Sequence, residues 1–239
     1  MSNPVQRNDL SIYDAEADGW WDADTRWVRT LHNMVPARLR YFDTLVDWED
    51  RDVLDLGCAG GFMAEALARR NARVTGIDPA TKAIDAARRH ADHEGLSIRY
   101  DVGTGEMLPY GSESFDRVVC VDVLEHVDDL GKVLAQVARV LRPGGYFLFD
   151  TINRNLLSRL AVVTMAEDIL RLLPRGTHDP AKFIRPGELK SALTKAGLTC
   201  GAMAGLGPSG INSKGDLTFG RHPGTLIVYM GTAEKAAAT

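Results

Sequence analysis

The first half of the chain alternates short apolar runs with longer segments of helical periodicity. The short runs are rich in β-branched residues and predict four strands, DVLDLG (52–57), RVTGID (73–78), SIRYDV (97–102) and FDRVVCVDV (115–123). Helices are predicted after the first two strands, over FMAEALARR (62–70) and over residues 82–93. This alternation is typical of right-handed βαβ units around a parallel sheet.

The second half continues this alternation with less regular spacing. Apolar residues at helical spacing predict a helix from Leu130, which the turn residues RPGG (142–145) end before a fifth strand, YFLFDT. After residue 183 the pattern predicts a helix that begins after Pro186, a strand near 198–206, a loop rich in Gly, Ser and Asn, a last strand TLIVYM and a frayed tail AEKAAAT. We therefore expect one α/β domain on a doubly wound sheet that is mostly parallel, with an antiparallel last strand.

Two segments lie outside the alternation. Residues 1–50 form a predicted N-terminal helical cap that holds all four tryptophans, which either pack on the edge of the sheet or roof a pocket. Residues 152–185 form a predicted helical insert or lid after the fifth strand. Its apolar part, residues 156–173, is interrupted by two arginines and two acidic residues. Residues 51–151 and 186–239 then supply the core and the C-terminal part of the sheet.

Composition narrows the class of protein. The 239 residues carry 28 Lys and Arg against 32 Asp and Glu, so the net charge of −4 provides no basic field for a nucleic acid. The cysteines at 58, 120 and 200 are too widely spaced for a disulfide framework or a zinc site, which favours a reducing cytosol. No apolar core of a signal peptide and no uncharged run of about 18 residues is present, which argues against secretion and membrane spanning.

The strongest local motif lies at the turn after the first predicted strand. It runs DLGCAGG from Asp55, and Asp78 follows at the end of the second predicted strand. Glycines let a ligand approach the backbone, and an acidic side chain on the neighbouring strand accepts the hydroxyls of a ribose. Ala59 and Phe62 stand where a dinucleotide fingerprint needs glycine, and no P-loop GK[ST] is present. The motif indicates a nucleoside site, although glycine-rich turns also occur without a ligand.

In order and spacing these motifs resemble the class I S-adenosylmethionine-dependent methyltransferases. The resemblance covers about residues 53–151 and includes GEMLPYGSESFDRVVCVDVLEHV and LRPGGYF. It implies a Rossmann-like fold and S-adenosylmethionine as the methyl donor. A narrower resemblance, over roughly residues 13–190, is to the ubiquinone-biosynthesis O-methyltransferases, which methylate phenolic hydroxyls of polyprenylated catechols. Its motifs are WWD (20–22), LH (31–32), PARLRY (36–41), TINRN (151–155) and PRGTHDPAKFIRPGEL (174–189).

The resemblance also implies roles for individual residues around the cofactor. It places Arg38 on the methionine carboxylate, Gly57 beneath the cofactor and Asp78 on the ribose, a set that suits the ligand chemically. The cofactor-binding residues implied in this way are Arg38, Asp55, Gly57, Asp78, Gly105, Glu106 and Val121. The family usually has GCGGG where this chain has GCAGG, and Ala59 is expected to be tolerated if its φ is negative.

Acidic and histidine residues follow the fourth predicted strand. Asp122, Glu125 and His126 have i, i+3, i+4 spacing, and the resemblance implies that they bind a divalent cation such as Mg²⁺, which would favour a phenolate. Methyltransferases without a metal also carry LEHV here, and a hard cation prefers oxygen ligands. The family usually has glutamate at the position of Asp122, which weakens the metal prediction. His126 is the first candidate for the base that accepts the substrate proton, and His178 is the second.

The apolar insert has two interpretations. It is either an amphipathic segment that docks on a membrane to reach a lipid substrate, or a lid over an apolar substrate. The sequence as a whole indicates a methyltransferase of the cytoplasm, or of the inner face of the membrane, that acts on the hydroxyl of an apolar aromatic acceptor. The alternatives are methylation of another small metabolite, a non-catalytic S-adenosylmethionine-binding module, and, less favoured, a nicotinamide oxidoreductase.

Overall fold

The computed structural model describes residues 7–8, 10–15, 17–21 and 25–237 and contains one eight-stranded sheet. Asp22 of the WWD motif, the first six residues and the last two lie outside the described residues. The strand order is β3-β2-β1-β4-β5-β8-β6-β7. The strands are β1 (Asp52–Leu56), β2 (Arg73–Asp78), β3 (Ile98–Val102), β4 (Phe115–Cys120), β5 (Leu141–Ile152), β6 (Leu198–Ile211), β7 (Leu217–His222) and β8 (Val228–Lys235).

The first five strands pair in parallel, and the last three pair antiparallel. The central strands β1 and β4 are buried on both faces, as their nearly continuous apolar sequences require. The predicted α/β sheet, mostly parallel with an antiparallel last strand, is confirmed. Its carboxyl edge, where the parallel strands end, positions the residues of the site.

The helices cover the sheet and cap that edge. They are α1 (Ser11–Ala15), α2 (Arg26–Phe42), α3 (Phe62–Ala68), α4 (Thr81–His93), α5 (Leu130–Val140), α6 (Leu156–Ser158) and α7 (Pro186–Lys195). Helix α5 buries Val133, Leu134 and Val137 against the sheet, and the Asp129 side chain caps its first turn by accepting from the backbone of Lys132. Helix α2 lies beside β7 and carries Arg38 into the protein interior.

The C-terminal part of the sheet differs from the sequence prediction. The predicted loop rich in Gly, Ser and Asn contains most of a hairpin, in which β6 extends to Ile211 and an unpredicted strand, β7, returns from Leu217. Only residues 212–216 form the turn, where the Asn212 side chain accepts two backbone N–H groups. The last strand begins three residues later than predicted and runs to Lys235. The tail is therefore not frayed at its start, because Ala233 is fully buried between β5 and β6.

The tryptophans divide between the two predicted locations. Trp48 packs in the core beneath α2, and its Nε1 donates to Asp43. Trp20 lies against the glycine turn and lines the main cavity. Trp21 donates to the carbonyl of Gly60 at 2.9 Å and stacks on the ring of His90. The N-terminal cap thus contributes both to the core and to the roof of a pocket.

The insert contains a helix, as predicted, and most of that helix is a π-helix. Helix α6 continues as the π-helix Arg159–Ile169, and we call the two together the insert helix. Its inner side buries Val162 and Val163 against Phe183. Its outer side exposes Leu156, Leu157, Leu160, Met165 and Ile169. None of the helices among the described residues has the length and apolar character needed to cross a membrane.

Candidate active site

A cavity of about 450 Å³ opens at the carboxyl ends of β1, β2 and β4. Nine of the residues singled out from the sequence line it, namely Arg38, Asp55, Gly57, Asp78, Gly105, Glu106, Val121, Asp122 and His126. Glu125 and His178 do not line it but lie directly behind His126. Parallel strands place their carboxyl ends at one edge, so residues far apart in sequence converge there.

The glycine turn leaves no room for side chains. Gly57 has a φ of +77°, and a Cβ at this position would lie 2.2 Å from Cγ2 of Val123. A Cβ at Gly60 would lie 2.5 Å from the ring of Trp20. The turn is therefore closed from both sides, by the loop after β4 and by the N-terminal cap. A ligand in the cavity meets backbone rather than side chains at this turn.

Ala59 does not have the negative φ under which it was expected to be tolerated. Its φ is +42°, in the left-handed region that favours glycine. Its backbone N–H donates to Oδ2 of Asp78 at 3.0 Å, and the N–H of Ala80 donates to Oδ1 at 2.8 Å. These two bonds hold the Asp78 carboxylate at the cavity wall and offset part of the backbone strain.

The carboxyl groups at this wall titrate well above their usual range. Burial raises the pKa of Asp55 to about 7, with a further contribution from the charge of Asp78. Burial also raises the pKa of Asp78 to about 6, against the two hydrogen bonds that lower it. Oδ2 of Asp55 is buried without a hydrogen-bond partner among the described residues. Such an atom is available to a polar group of a ligand.

Arg38 is buried on α2 between two carboxylates. Its Nε donates to Oδ2 of Asp150 at 2.5 Å, while Nη2 lies 2.5 Å from Oδ2 of Asp122 without hydrogen-bond geometry. Burial alone would lower the pKa of Arg38, but the charges of Asp122 and Asp150 raise it, so the guanidinium stays protonated. Asp122, at a φ of +56°, also donates its backbone N–H to Asp150. Arg38 therefore lines the cavity as a protonated guanidinium that is held between two carboxylates.

The loops after β3 and β4 also line the cavity. Gly105 packs closely on Val133, and Glu106 accepts the backbone N–H of Asp128 at 3.2 Å. Val121 is half-buried directly after β4. Gly105, Glu106 and Val121, which the resemblance implies as cofactor-binding residues, thus all lie at the cavity.

A buried acid and a buried imidazole follow β4. Burial, followed by the charges of Asp122 and Asp150, raises the pKa of Glu125 to about 8, so this side chain is a neutral acid at pH 7. Burial lowers the pKa of His126 to about 3, so its ring is neutral. Glu125 Oε2 accepts from Thr151, and His126 Nδ1 is bonded to Oδ1 of Asn8 at 2.7 Å. Glu125 Oε1 and His126 Nε2 are both buried without a partner among the described residues.

The third residue that lies with Glu125 and His126 is His178 and not Asp122. Ligand atoms of Glu125, His126 and His178 all lie within 4.8 Å of one another, whereas the carboxylate of Asp122 lies against Arg38. The His126 and His178 ring centroids are 5.0 Å apart. The structure thus joins two of the three predicted metal ligands to the second predicted base.

Several residues of the site were not predicted from the sequence. Asp150 orients Arg38, Thr151 orients Glu125, and Glu167 binds His178. Tyr13 also lines the cavity. Asp150 and Thr151 end a predicted strand at the carboxyl edge, a signal that could have found them. Glu167 sits in an apolar segment and becomes recognisable only through its tertiary contacts.

The comparisons with known proteins agree with this geometry. The sequence model of a family described as "Methyltransferase domain" matches residues 54–149. A ubiquinone biosynthesis O-methyltransferase of Thiobacillus denitrificans is 42% identical over 86% of this chain and 88% of its own length. One from Pseudomonas fluorescens is 41% identical over the same shares. The solved structure of an S-adenosylmethionine-dependent methyltransferase of Thermotoga maritima, a possible histamine N-methyltransferase, matches with a TM-score of 0.66 and 19% identity over 94% of this chain and 98% of that one.

The fold, the cavity and these matches define an S-adenosylmethionine-dependent methyltransferase. Within that class the chain belongs to the family of ubiquinone biosynthesis O-methyltransferases. The residues present fit the cofactor of the class. Asp55 Oδ2 is a buried polar atom without a partner among the described residues and suits the ammonium of a methionine moiety, while the protonated Arg38 and the Asp78 carboxyl group line the same cavity.

Proposed function

We propose that the protein transfers a methyl group from S-adenosylmethionine to a phenolic or catechol hydroxyl of an apolar, polyprenylated aromatic acceptor, as in ubiquinone biosynthesis. The observation that carries the proposal is Nε2 of His126, a buried atom without a partner among the described residues, on a ring that lines the cavity. Burial lowers the pKa of His126 to about 3, so the ring is neutral at pH 7 and Nε2 can accept a hydrogen bond from a hydroxyl. The similarity to ubiquinone biosynthesis O-methyltransferases of Thiobacillus denitrificans and Pseudomonas fluorescens supports the same reaction.

The cofactor supplies an activated methyl, which passes from sulfonium sulfur to hydroxyl oxygen with release of one proton and of S-adenosylhomocysteine. The chain places the acceptor oxygen and takes up that proton. Oδ1 of Asn8 accepts a hydrogen bond from Nδ1–H of His126. The lone pair of the ring therefore lies on Nε2, where it is available to the substrate hydroxyl. Behind His126, ligand atoms of Glu125 and His178 lie within 4.8 Å of the imidazole, and Glu167 binds the ring of His178. Trp20 and the apolar cavity wall exclude water.

Magnesium stays a prediction from the family resemblance. The donors that come together are two imidazoles and one carboxyl group, and the pKa of that carboxyl, Glu125, is raised by burial to about 8. Mg²⁺ prefers an octahedral shell of oxygen ligands, and the carboxylate of Asp122 lies against Arg38. The donor set does not fit Mg²⁺, so we derive no step through a metal.

The direct test is mass-spectrometric detection of methyl transfer to catechols that carry a prenyl, a polyprenyl or no side chain. We expect transfer to one hydroxyl, a rate that rises with the apolar side chain, and a rate that survives a chelator. Loss of activity with the chelator that Mg²⁺ restores would instead place a cation in the site. Tight binding of S-adenosylhomocysteine with no transfer to any member of the panel would overturn the proposed acceptor.

Replacing His126 by Ala tests whether the protein is an enzyme rather than a cofactor-binding module. We expect the His126→Ala variant to lower kcat by about 100-fold, the lower end of what general-base catalysis contributes. The affinity for S-adenosylhomocysteine should change little, because the polar cofactor contacts come from Arg38, Asp55 and Asp78. The exposed His93 provides a matched control, since its ring bonds to Glu94 and does not line the cavity. Equal rates for the two variants would contradict the assignment of His126.

We also propose that the insert helix brings the site to its lipid substrate by docking on a membrane. Its outer side exposes a run of large apolar residues, with Leu156 83% and Ile169 59% exposed, next to the exposed Arg159 and Arg171. Leu226, 62% exposed, lies beside its N-terminus. Among the described residues none between 152 and 185 lines the cavity. Docking accounts for the apolar surface better than a lid over the cofactor does.

The Leu156→Asp and Leu160→Asp substitutions should each weaken binding to vesicles of anionic phospholipid by about tenfold or more, because each removes about 1.5–3 kcal/mol of apolar burial. Co-sedimentation measures this binding. The control is Ile211→Asp, which alters an equally exposed residue at the far end of β6. A lid would give the opposite pattern, with unchanged vesicle binding and a higher KM for a water-dispersed catechol.

A further inference from the structure

Glu167 is the one acidic residue of the insert helix that points inward. Its side chain is fully buried and lies beside the loop that carries His178. Oε1 accepts the backbone N–H of His178 at 3.1 Å and its ring Nδ1–H at 2.7 Å, while Oε2 accepts the N–H of Gly176 at 3.0 Å. Arg7 lies 3.4 Å from Oε2. Each of these groups donates a hydrogen bond, and an ionised carboxylate can only accept hydrogen bonds, so Glu167 matches its surroundings.

This arrangement fixes the tautomer of His178. Since the carboxylate of Glu167 has no proton to give, Nδ1 of His178 carries the hydrogen, and the lone pair lies on Nε2. The same contacts fix the position of the ring, whose centroid is 5.0 Å from that of His126 and 6.1 Å from that of Phe183. Glu167 itself neither lines the cavity nor touches His126.

We propose that Glu167 is a positioning residue for methyl transfer, which holds the Nδ1–H tautomer of His178 so that its Nε2 stands as an acceptor beside Glu125 and His126. The inference rests on the proposed function, because it gives His178 a part in handling the substrate proton. It adds a link between the outer and inner sides of the insert helix. The helix that exposes Leu160 and Ile169 also carries the carboxylate that orients His178.

A purely structural role explains the geometry less well. Burying a carboxylate costs several kcal/mol unless its partners compensate, and an apolar side chain packed beside Val163 would hold the insert in place at lower cost. A glutamate is required at position 167 if Nδ1 of His178 must carry the hydrogen and Nε2 must keep its lone pair. Carboxylates that orient a histidine base have this role in other enzymes.

The experiment is a double-mutant cycle on the full-length protein with Glu167→Gln, His178→Ala and the double variant. Glutamine keeps the volume, but its amide group must face either the N–H of Gly176 or the two donors of His178. We expect Glu167→Gln to lower kcat by about 10- to 100-fold, as a displaced catalytic group does, with the KM for S-adenosylmethionine unchanged. The double variant should match His178→Ala alone, because Glu167 acts only through that ring.

Two further measurements separate positioning from loss of structure. Nitrogen-15 NMR of labelled histidine should show His178 in its Nδ1–H form in the native protein and shifted towards the Nε2–H form in Glu167→Gln. The matched control is Asp168→Asn, the next residue on the same helix, whose carboxylate binds the exposed Arg175. This control should keep native kcat and the native tautomer.

Each outcome has a defined meaning. Additive losses of kcat in the double variant, or an unchanged tautomer with a lower melting temperature, would assign Glu167 a structural role and overturn the inference. Native kcat in Glu167→Gln would overturn it as well. Failure of the proposed function would look different, since the native protein itself would then transfer no methyl group to any catechol, while the NMR signature of His178 would still report the tautomer.

Discussion

The Arg38→Met variant is expected to be less stable than the native protein by about 3–5 kcal/mol, the usual cost of removing one partner of a buried ion pair. Arg38 is 2% exposed and lies between Asp122 and the fully buried Asp150. Methionine fills most of the volume but leaves the Asp150 carboxylate without a compensating charge. Urea unfolding at pH 7 measures the difference. The variant should also lose affinity for S-adenosylhomocysteine, because it removes a cation from the cavity wall and leaves Asp122 and Asp150 uncompensated beside the ligand.

The pH dependence of this loss follows from the carboxyl groups. Burial raises the pKa of Asp150, and the charge of Arg38 is the main effect that opposes the rise. Without the guanidinium this pKa rises further above its value in the unfolded chain, near 3.9. A group of this kind stabilises the fold below its unfolded pKa and loses that contribution as the pH rises through its folded pKa. The destabilisation should therefore be larger at pH 8 than at pH 5.

Arg40 is a matched control for this substitution, because it lies two residues further along α2 and is exposed, with a single bond to the carbonyl of Phe219. Arg40→Met should change the unfolding free energy by less than about 0.5 kcal/mol. Equal losses in the two variants, or a loss in Arg38→Met that does not depend on pH, would show that the buried charges do not determine the stability of this region.

The elements of the fold that could be predicted are those whose local sequence pattern reflects how they are buried in the folded protein. Strand β4 is continuously apolar because both of its faces are buried, and the glycine turn after β1 is short enough to be recognised as a motif. The hairpin of β6 and β7 could not be predicted, because its glycines and serines are typical of a loop. What makes it a sheet is pairing with β8 and packing against α2.

The same distinction holds for the site. Asp55, Gly57 and Asp78 were predicted because they end strands at the carboxyl edge. Asp150, Glu167 and Asn8 act through residues that are more than 100 positions away or on another element, so no local pattern contains them. The spacing of Asp122, Glu125 and His126 indicated one cluster. The left-handed backbone at Asp122 turns its carboxylate to Arg38 instead.

The charges around the cavity suit a cationic ligand. Burial raises the pKa of Asp55, Asp78 and Glu125 to about 7, 6 and 8, so at pH 7 Asp78 is mostly ionised, Asp55 is about half ionised and Glu125 is mostly protonated. Burial also raises the pKa of Tyr13, with smaller contributions from Asp122 and Asp78. Asp55 and Asp78 would therefore supply negative charge at the cavity wall, which would stabilise a bound sulfonium more than the uncharged thioether left after methyl transfer.

Replacing Gly57 by Ala should cost about 2–5 kcal/mol, divided between protein stability and cofactor binding. The left-handed backbone contributes about 1–2 kcal/mol, and the overlap of the new Cβ with Val123, 2.2 Å away, adds about 1–3 kcal/mol for a core that must shift. The shift moves either the glycine turn or the loop after β4, and both walls contact the cofactor site. Urea unfolding and calorimetric titration with S-adenosylhomocysteine measure the two shares.

Gly95→Ala is the matched control, because Gly95 has a φ of +66° with nothing within 4 Å of a new Cβ. It should lose about 1 kcal/mol of stability and no cofactor affinity. If Gly57→Ala behaved like this control, the close approach of Val123 would have no part in shaping the site.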